Sequence, residues 1–273
     1  GAPLAKQLVI SYGWRSTFVV LGVGSAALLV VASIGARRPP GAGTQETPPP
    51  LRLLLHDRRF TWLYTSMTFL SAGLFVPMIY LDDYLDAQGK TGGALLIGIT
   101  GAASVVGRLA LGAVGAKVDL MRLYQCCVAA LGASYFIWIV AGANYTVLVI
   151  FVLVMGTAYG GWIALSPAVI AYLFGPVGLG GVLGALYTSA GIGGLFGPPL
   201  IGVVIDATSY ETAIGLAIAL SAISLVLLRT ATRAAESTAV DAVQPTEEVP
   251  ATASVASAWL VPSTQGGMRL IRR

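Results

Sequence analysis

Seven apolar runs in this sequence are each long enough, or nearly long enough, to cross the hydrocarbon core of a bilayer. A helix needs about 20 residues to span a core of about 30 Å. Inside lipid every backbone N–H and C=O must find a partner within the protein, so these runs are predicted to be helices. The predicted spans are 17–36, 60–81, 93–115, 121–142, 146–173, 181–205 and 212–228.

The composition argues against a water-soluble fold. Only 10% of the residues are charged and 56% are hydrophobic, whereas a soluble domain carries about 25% charged residues. Charges this sparse cannot cover a soluble surface, so we predict an integral, multi-pass membrane protein with lipid around it. The net charge of +4 lies in short clusters between the apolar runs, which does not indicate a nucleic-acid partner.

The connecting segments divide the chain into four parts. Residues 1–36 carry the first span, residues 37–58 form a polar, Pro-rich linker, and residues 59–229 carry six spans. Residues 230–273 are rich in Ala, Thr, Ser and Glu and are predicted to form a disordered tail. One span separated from six by a linker is typical of a bundle built from two halves, and less typical of a seven-helix receptor.

The positions of Lys and Arg predict how the chain sits in the membrane. With the linker placed in the cytoplasm, most basic loop residues fall on the cytoplasmic side and few fall outside. We therefore predict a plasma-membrane protein with a cytoplasmic C-terminus. The cytoplasmic residues are then Arg37, Arg38, Arg52, Arg58, Arg59, Lys117, Arg122, Arg229 and Arg233, against Lys6, Arg15 and Lys90 outside.

Arg108 is the one charged residue that lies deep inside a predicted span, since Arg122 is only the second residue of the span 121–142. A guanidinium at this depth is costly and by default marks a path for a substrate or an ion. Its planar, permanently charged group suits a carboxylate ligand, which it can bind with two parallel hydrogen bonds. The alternative is that Arg108 extends to the cytoplasmic interface and only anchors its helix.

Other residues are weaker predictions. Aromatic side chains that can line a cavity, or only pack, are Tyr64, Tyr159, Trp162 and Tyr187. The loop charges Lys117, Asp119 and Arg122 can clamp helix ends in one transport state, or be simply solvated. Small residues predicted to allow close helix packing or hinge motion are Gly112, Gly156, Gly160, Gly184, Gly193 and Gly197. Pro198, with Gly197 and Pro199, is predicted to break or kink the sixth run.

Several kinds of site are disfavoured by what the sequence lacks. The single histidine, His56, lies in the polar linker, which leaves little for a zinc site or for His-dependent catalysis. The adjacent Cys126 and Cys127 point in different directions on a helix, so we expect packing residues rather than a disulfide or a metal pair. No phosphate-binding loop with Gly-Lys-Ser/Thr occurs. We therefore expect no metal, no cofactor, no enzymatic activity and no ATP-driven pumping.

Three motifs resemble one transporter family. Gly107-Arg108-Leu-Ala-Leu-Gly112 with Lys117 and Asp119 resembles the eighth-span signature of monocarboxylate-porter-like members of the major facilitator superfamily. Tyr12-Gly-Trp-Arg15 resembles the entry to their sixth span. Residues 183–210, with Gly197-Pro-Pro-Leu-Ile-Gly202, are similar to their eleventh span and the following loop. The resemblance covers roughly residues 8–230.

This resemblance implies an all-α fold, namely the C-terminal six-helix half of a major-facilitator bundle plus one preceding helix. It implies secondary transport of small organic anions, with monocarboxylates as the expected substrates. It also implies that Arg108 binds the substrate carboxylate. Where several proton-coupled members carry an aspartate, this chain has Ser104. Since the chain starts at Gly1 without a leader, we expect the N-terminal half upstream. The alternatives are a non-transporting sensor or scaffold and an inactive fragment.

Overall fold

The computed structural model describes residues 2–35, 54 and 56–243, with side chains for residues 8–35, 54 and 56–234. The contacts divide the chain after Glu236, and every interaction below lies in the first of the two units, Gly1–Glu236. The described residues are helical throughout, apart from short turns. The helices are α1 Ala2–Gly35, α2 Arg58–Leu74, α3 Val76–Ala87, α4 Gly93–Gly115, α5 Leu120–Ala141, α6 Tyr145–Phe174, α7 Leu179–Ala207 and α8 Tyr210–Val243.

Seven segments of the described chain are long and apolar enough to cross a membrane, with α2 and α3 together making one of them. The predicted all-α, polytopic bundle is thereby confirmed. The name linker end is used for the end of the bundle at which α2, α5 and α7 begin and α4 and α6 end. The opposite end, which carries Asp82 and Asn144, is called the far end.

The span boundaries differ from the predicted ones at three places. The first helix begins at Ala2 instead of residue 17 and contains a kink at Gly13, whose φ of 77° suits glycine. The second span is interrupted at Phe75, because Pro77 enters at the start of α3. At the C-terminus, α8 continues to Val243, where a disordered tail was expected from residue 230. Its Ala, Arg and Glu residues favour a helix beyond the membrane.

Other predictions lie outside the described residues. Most of the Pro-rich linker and the tail from residue 244 onward belong to this group. Of the linker, Asp57 caps α2, where its side chain accepts a hydrogen bond of 2.8 Å from the backbone N–H of Arg59.

Two glycine-lined contacts hold the bundle together. At Gly156 an added Cβ would lie 2.5 Å from the Thr100 carbonyl oxygen, so α6 approaches the backbone of α4 directly. Gly107 and Gly160 make the same kind of approach, to Thr157 and to Ser104. The second contact joins α7 to α2, where an added Cβ at Gly197 would lie 2.5 Å from Ala72. α6 therefore pairs with α4, and α7 with α2.

The core is aromatic toward the far end. Tyr135, Trp138 and Phe151 are almost fully buried, and the Trp138 and Phe151 rings stack with centroids 5.1 Å apart. Tyr84 packs edge-on against Trp138.

By contrast, α1 is exposed along nearly its whole described length. The expected break at Pro198 and Pro199 is absent, since α7 stays helical through both prolines. The alternative, a kink at these prolines, stays a prediction.

Candidate functional site

Arg108 lies on α4 beside the helix face that packs against α6. That face is made by Thr100, Ser104 and Gly107, all of which are buried. The Arg108 side chain itself is exposed at the surface of the described bundle. No described acidic side chain forms an ion pair with it. The guanidinium is therefore available to a ligand.

Two predicted tyrosines lie close to this charge. Arg108 and Tyr187 are both near enough to Tyr159 to interact electrostatically with its hydroxyl. Tyr159 is half-buried on α6, and its ring stacks on that of Trp162, with centroids 6.1 Å apart and planes 25° apart. Trp162 is buried, so it supports the Tyr159 ring from behind. Arg108 on α4 and Tyr187 on α7 thus both lie within electrostatic range of Tyr159 on α6.

Tyr64 joins the same side of the bundle through α7. Its hydroxyl lies 3.1 Å from Oγ1 of Thr188, the residue that follows Tyr187. The Tyr64–Thr188 contact places Tyr64 and Tyr187 at one level in the membrane. Arg108 lies deeper, because an added Cβ on Gly160 would lie 2.9 Å from the Arg108 backbone nitrogen, and Gly160 is roughly 21 Å from the linker end of α6.

Sequence reasoning missed three polar residues near this group. Thr188 was not singled out, although it contacts Tyr64. Tyr124 and Ser166, both buried, have their hydroxyl oxygens 3.5 Å apart, and Tyr124 interacts electrostatically with Tyr187. Their signal in the sequence was the same as that of Arg108, namely a polar side chain within an apolar run. What the sequence did not show was which face each one occupies.

The loop charges do not clamp neighbouring helix ends in this structure. Lys117, Asp119 and Arg122 are all exposed. Asp119 caps α5 instead, since its carboxylate accepts a 2.7 Å hydrogen bond from the backbone N–H of Arg122. Neither Lys117 nor Arg122 forms an ion pair with a described acidic residue.

The predicted small residues fall into two groups. Gly156, Gly160 and Gly197 face neighbouring backbone, as described above, and Gly193 likewise faces the backbone of Thr68 and Ala72 on α2. Gly112 makes ordinary contact, with its added Cβ 3.7 Å from the Ala164 Cβ. Gly184 faces open space within the described bundle, as does Gly180. The Pro198 carbonyl accepts a 2.9 Å hydrogen bond from the Tyr80 hydroxyl.

The arrangement joins one fixed cation to several hydroxyl donors and an aromatic face. A carboxylate suits it, because the guanidinium offers parallel donors and a tyrosine hydroxyl can donate to the same oxygens. Among the described residues no three His, Cys, Asp or Glu side chains gather as metal ligands would. We find no group there that calls for a bound cofactor.

Comparison with known proteins supports this picture of a membrane carrier. The family model described as Major Facilitator Superfamily matches residues 1–140 and 90–270. The chain belongs to the Major Facilitator Superfamily. The helical bundle described above is accordingly part of a major-facilitator fold, and the protein is an integral, multi-pass membrane protein of a transporter family.

Curated relatives within the superfamily include fungal and animal transporters. MFS transporter asaE of Aspergillus flavus is 28% identical over 72% of this chain and 45% of its own length. Aspyridones efflux protein apdF of Emericella nidulans is 31% identical over 69% of this chain and 38% of its own. Monocarboxylate transporter 3 of Rattus norvegicus is 29% identical over 77% of this chain and 46% of its own. The predicted resemblance to monocarboxylate-porter-like members is confirmed, and the chain spans less than half the length of these three relatives.

Proposed function

We propose that this chain forms the C-terminal half, and the last helix before it, of a secondary transporter that moves small organic anions by alternating access. The single observation that carries the proposal is Arg108, a guanidinium at membrane depth near Tyr159 and without an ion-pair partner among the described acidic residues. An N-terminal half supplies the other wall of the cavity. The similarity to monocarboxylate transporters favours monocarboxylates as the substrates.

Each element of the group has a part in binding. Arg108 forms a charge-assisted pair with the substrate carboxylate through two parallel hydrogen bonds. The Tyr159 and Tyr187 hydroxyls donate to the remaining carboxylate lone pairs. Tyr64 and Thr188 hold α2 against α7. We place the protein in the plasma membrane with its C-terminus in the cytoplasm, following the distribution of Lys and Arg.

The test is uptake of labelled lactate, pyruvate and oxalate by the full-length protein in proteoliposomes. Replacing Arg108 by Ala or by Lys removes the fork-shaped donor, and we expect uptake to fall by about tenfold or more. Lys90→Ala, at the far end, is the matched loss of a cation and leaves uptake unchanged. Normal uptake in both Arg108 variants would refute the proposed site.

Further arms separate the remaining alternatives. An uptake rate that rises with an inward proton gradient indicates proton symport, whereas a rate that is independent of the gradient indicates transport without proton coupling. Substrate binding without uptake or exchange identifies a sensor or a scaffold instead. The 273-residue chain reconstituted alone is expected to be inactive, because half of a two-part carrier lacks one wall of its cavity.

A further inference from the structure

A groove separates two consecutive helices at the surface of the bundle. α4 and α5 are joined by a short turn, yet each packs mainly against α6, which forms the floor between them. The groove has a volume of about 470 Å³. Its walls are almost entirely apolar and include Leu111 on α4, Leu123, Cys126 and Ala130 on α5, and Val154 and Ala158 on α6.

The groove lies at the depth of acyl chains in one leaflet. On α5 it extends from Leu123 to Ala130, or from roughly 5 to 15 Å below the linker end of that helix. A hydrocarbon core of about 30 Å places this interval within the half nearest that end. The α6 wall residues Val154 and Ala158 lie roughly 14 and 20 Å from the far end of α6, so the groove reaches the middle of the bilayer. Because the walls are parts of membrane-spanning helices, lipid tails have direct access to the opening.

Positive charge surrounds the end of the groove that meets the headgroups. Lys117 lies in the turn between α4 and α5, and Arg122 directly precedes the wall residue Leu123. Both side chains are exposed and have no ion-pair partner among the described acidic residues. The one carboxylate between them, Asp119, is turned to the backbone N–H of Arg122, 2.7 Å away.

A second helix adds cations at the same end. The Gln125 side-chain amide donates a 3.2 Å hydrogen bond to Oγ1 of Thr232, which brings α8 against the first two turns of α5. Arg229 and Arg233 flank Thr232 on that helix and are exposed. Basic pockets between spanning helices favour anionic lipid headgroups. An apolar groove with a basic rim at one end thus matches a phospholipid both in its tail and in its headgroup.

We propose that this groove binds an anionic phospholipid, with one acyl chain between α4 and α5 and the phosphate against Lys117 and Arg122. The lipid holds together two helices that otherwise make little contact with each other. The site is separate from the transported anion, since no groove-lining residue belongs to the group around Arg108.

The test is native mass spectrometry of the full-length protein released from nanodiscs that contain equal amounts of dioleoyl phosphatidylglycerol and dioleoyl phosphatidylcholine. We expect the wild-type protein to retain phosphatidylglycerol several-fold more often. Cys126→Phe fills the groove with a ring from an exposed wall position and is expected to reduce retention of both lipids. Val140→Phe places the same ring on an 81% exposed site of α5 near the far end and is the matched control.

The headgroup contact is tested separately. Lys117→Gln combined with Arg122→Gln is expected to abolish the preference for phosphatidylglycerol, and Lys90→Gln is the control at the far end. A second measurement needs no variant: a membrane-soluble maleimide alkylates Cys126, and we expect the rate of alkylation to be lower when lipid is bound in the groove. Equal retention of the two lipids by the wild-type protein, equal retention by Cys126→Phe and Val140→Phe, or alkylation that is independent of lipid would each overturn the proposal.

Discussion

Four tyrosine hydroxyls among the described residues donate to backbone carbonyls of segments other than their own helix. Tyr135 donates to Gly73, Tyr80 to Pro198, Tyr84 to Gly142 and Tyr145 to Gly92, over 2.8, 2.9, 3.1 and 3.5 Å. A carbonyl without a partner is costly inside a membrane, because lipid offers no donor. Tyr135 and Tyr84 therefore stabilise places where the helical pattern of hydrogen bonds is incomplete, at Pro77 and after the end of α5.

Tyr135 shows the principle most directly. In an unbroken helix the N–H of residue 77 would donate to the Gly73 carbonyl, but Pro77 has no N–H. The Gly73 carbonyl instead receives the Tyr135 hydroxyl and the backbone N–H of Phe75. We expect Tyr135→Phe to lower the free energy of unfolding by about 0.5–1.5 kcal/mol.

A double-mutant cycle checks this assignment by thermal unfolding of the chain in detergent. Pro77→Ala returns the missing N–H, so Tyr135→Phe is expected to cost less in the Pro77→Ala background than in the wild type. An equal cost in both backgrounds would show that the hydroxyl does not replace the proline's missing donor.

The sequence pointed to one member of the candidate site and left the rest of the group open. A lone guanidinium in an apolar run is conspicuous, so Arg108 could be chosen from the sequence. Thr188 and Tyr124 could not, because hydroxyl side chains are common in spanning helices, and serine and threonine hydroxyls mostly bond to their own helix. Only the packing of α2, α5 and α7 shows which hydroxyls meet.

At the scale of helices, close contact depends on which glycines face a neighbour. α4 offers both cases, because Gly107 lies against the Thr157 backbone whereas Gly101 has no atom within 4 Å of an added Cβ. The two positions have the same backbone conformation but different surroundings. Spacing in the sequence marks both equally, so only the packed structure distinguishes them.

We expect Gly107→Ala to force α4 and α6 apart at a cost of about 1–3 kcal/mol, which lowers the melting temperature by roughly 2–12 °C. Gly101→Ala in the same helix is the control and is expected to leave the melting temperature unchanged or slightly raised, since alanine favours the helix. Circular dichroism of the chain in detergent measures both. Equal melting temperatures for the two variants would contradict the close α4–α6 contact.

Most of the helical layout follows from the sequence for a simple reason. A backbone in lipid must satisfy its own hydrogen bonds, so a long apolar run has one available conformation. The early start of α1 and the extension of α8 to Val243 were not predicted, because helices can continue into water where hydropathy gives no signal. The break at Phe75 arises from Pro77, whereas Pro198 and Pro199 leave α7 unbroken, and a sequence pattern does not distinguish these outcomes.

At the scale of the whole molecule, the two ends of the bundle differ in charge. The far end carries Asp82, Asp83 and Asp86, whereas the linker end carries Lys117, Arg122 and Arg229. Basic loops are retained on the cytoplasmic side during insertion, so this asymmetry predicts that the linker end faces the cytoplasm.

Labelling of single cysteines in intact cells measures this orientation. With Cys126 and Cys127 replaced by Ala, we expect Gln88→Cys at the far end to react with a membrane-impermeant maleimide. Val118→Cys at the linker end is expected to react only after the cells are permeabilised. Both residues are exposed, so a difference in labelling reports the side of the membrane. The reverse pattern would invert the proposed topology.

The interruption at Phe75 divides one membrane crossing between two neighbours. α2 packs chiefly against α7, and α3 packs chiefly against α4. A tilt of α7 would therefore displace α2, near the linker end, while α3, near the far end, would stay with α4. A crossing whose two helices move separately can open toward one side of the membrane while it remains closed toward the other, so no continuous pore has to form.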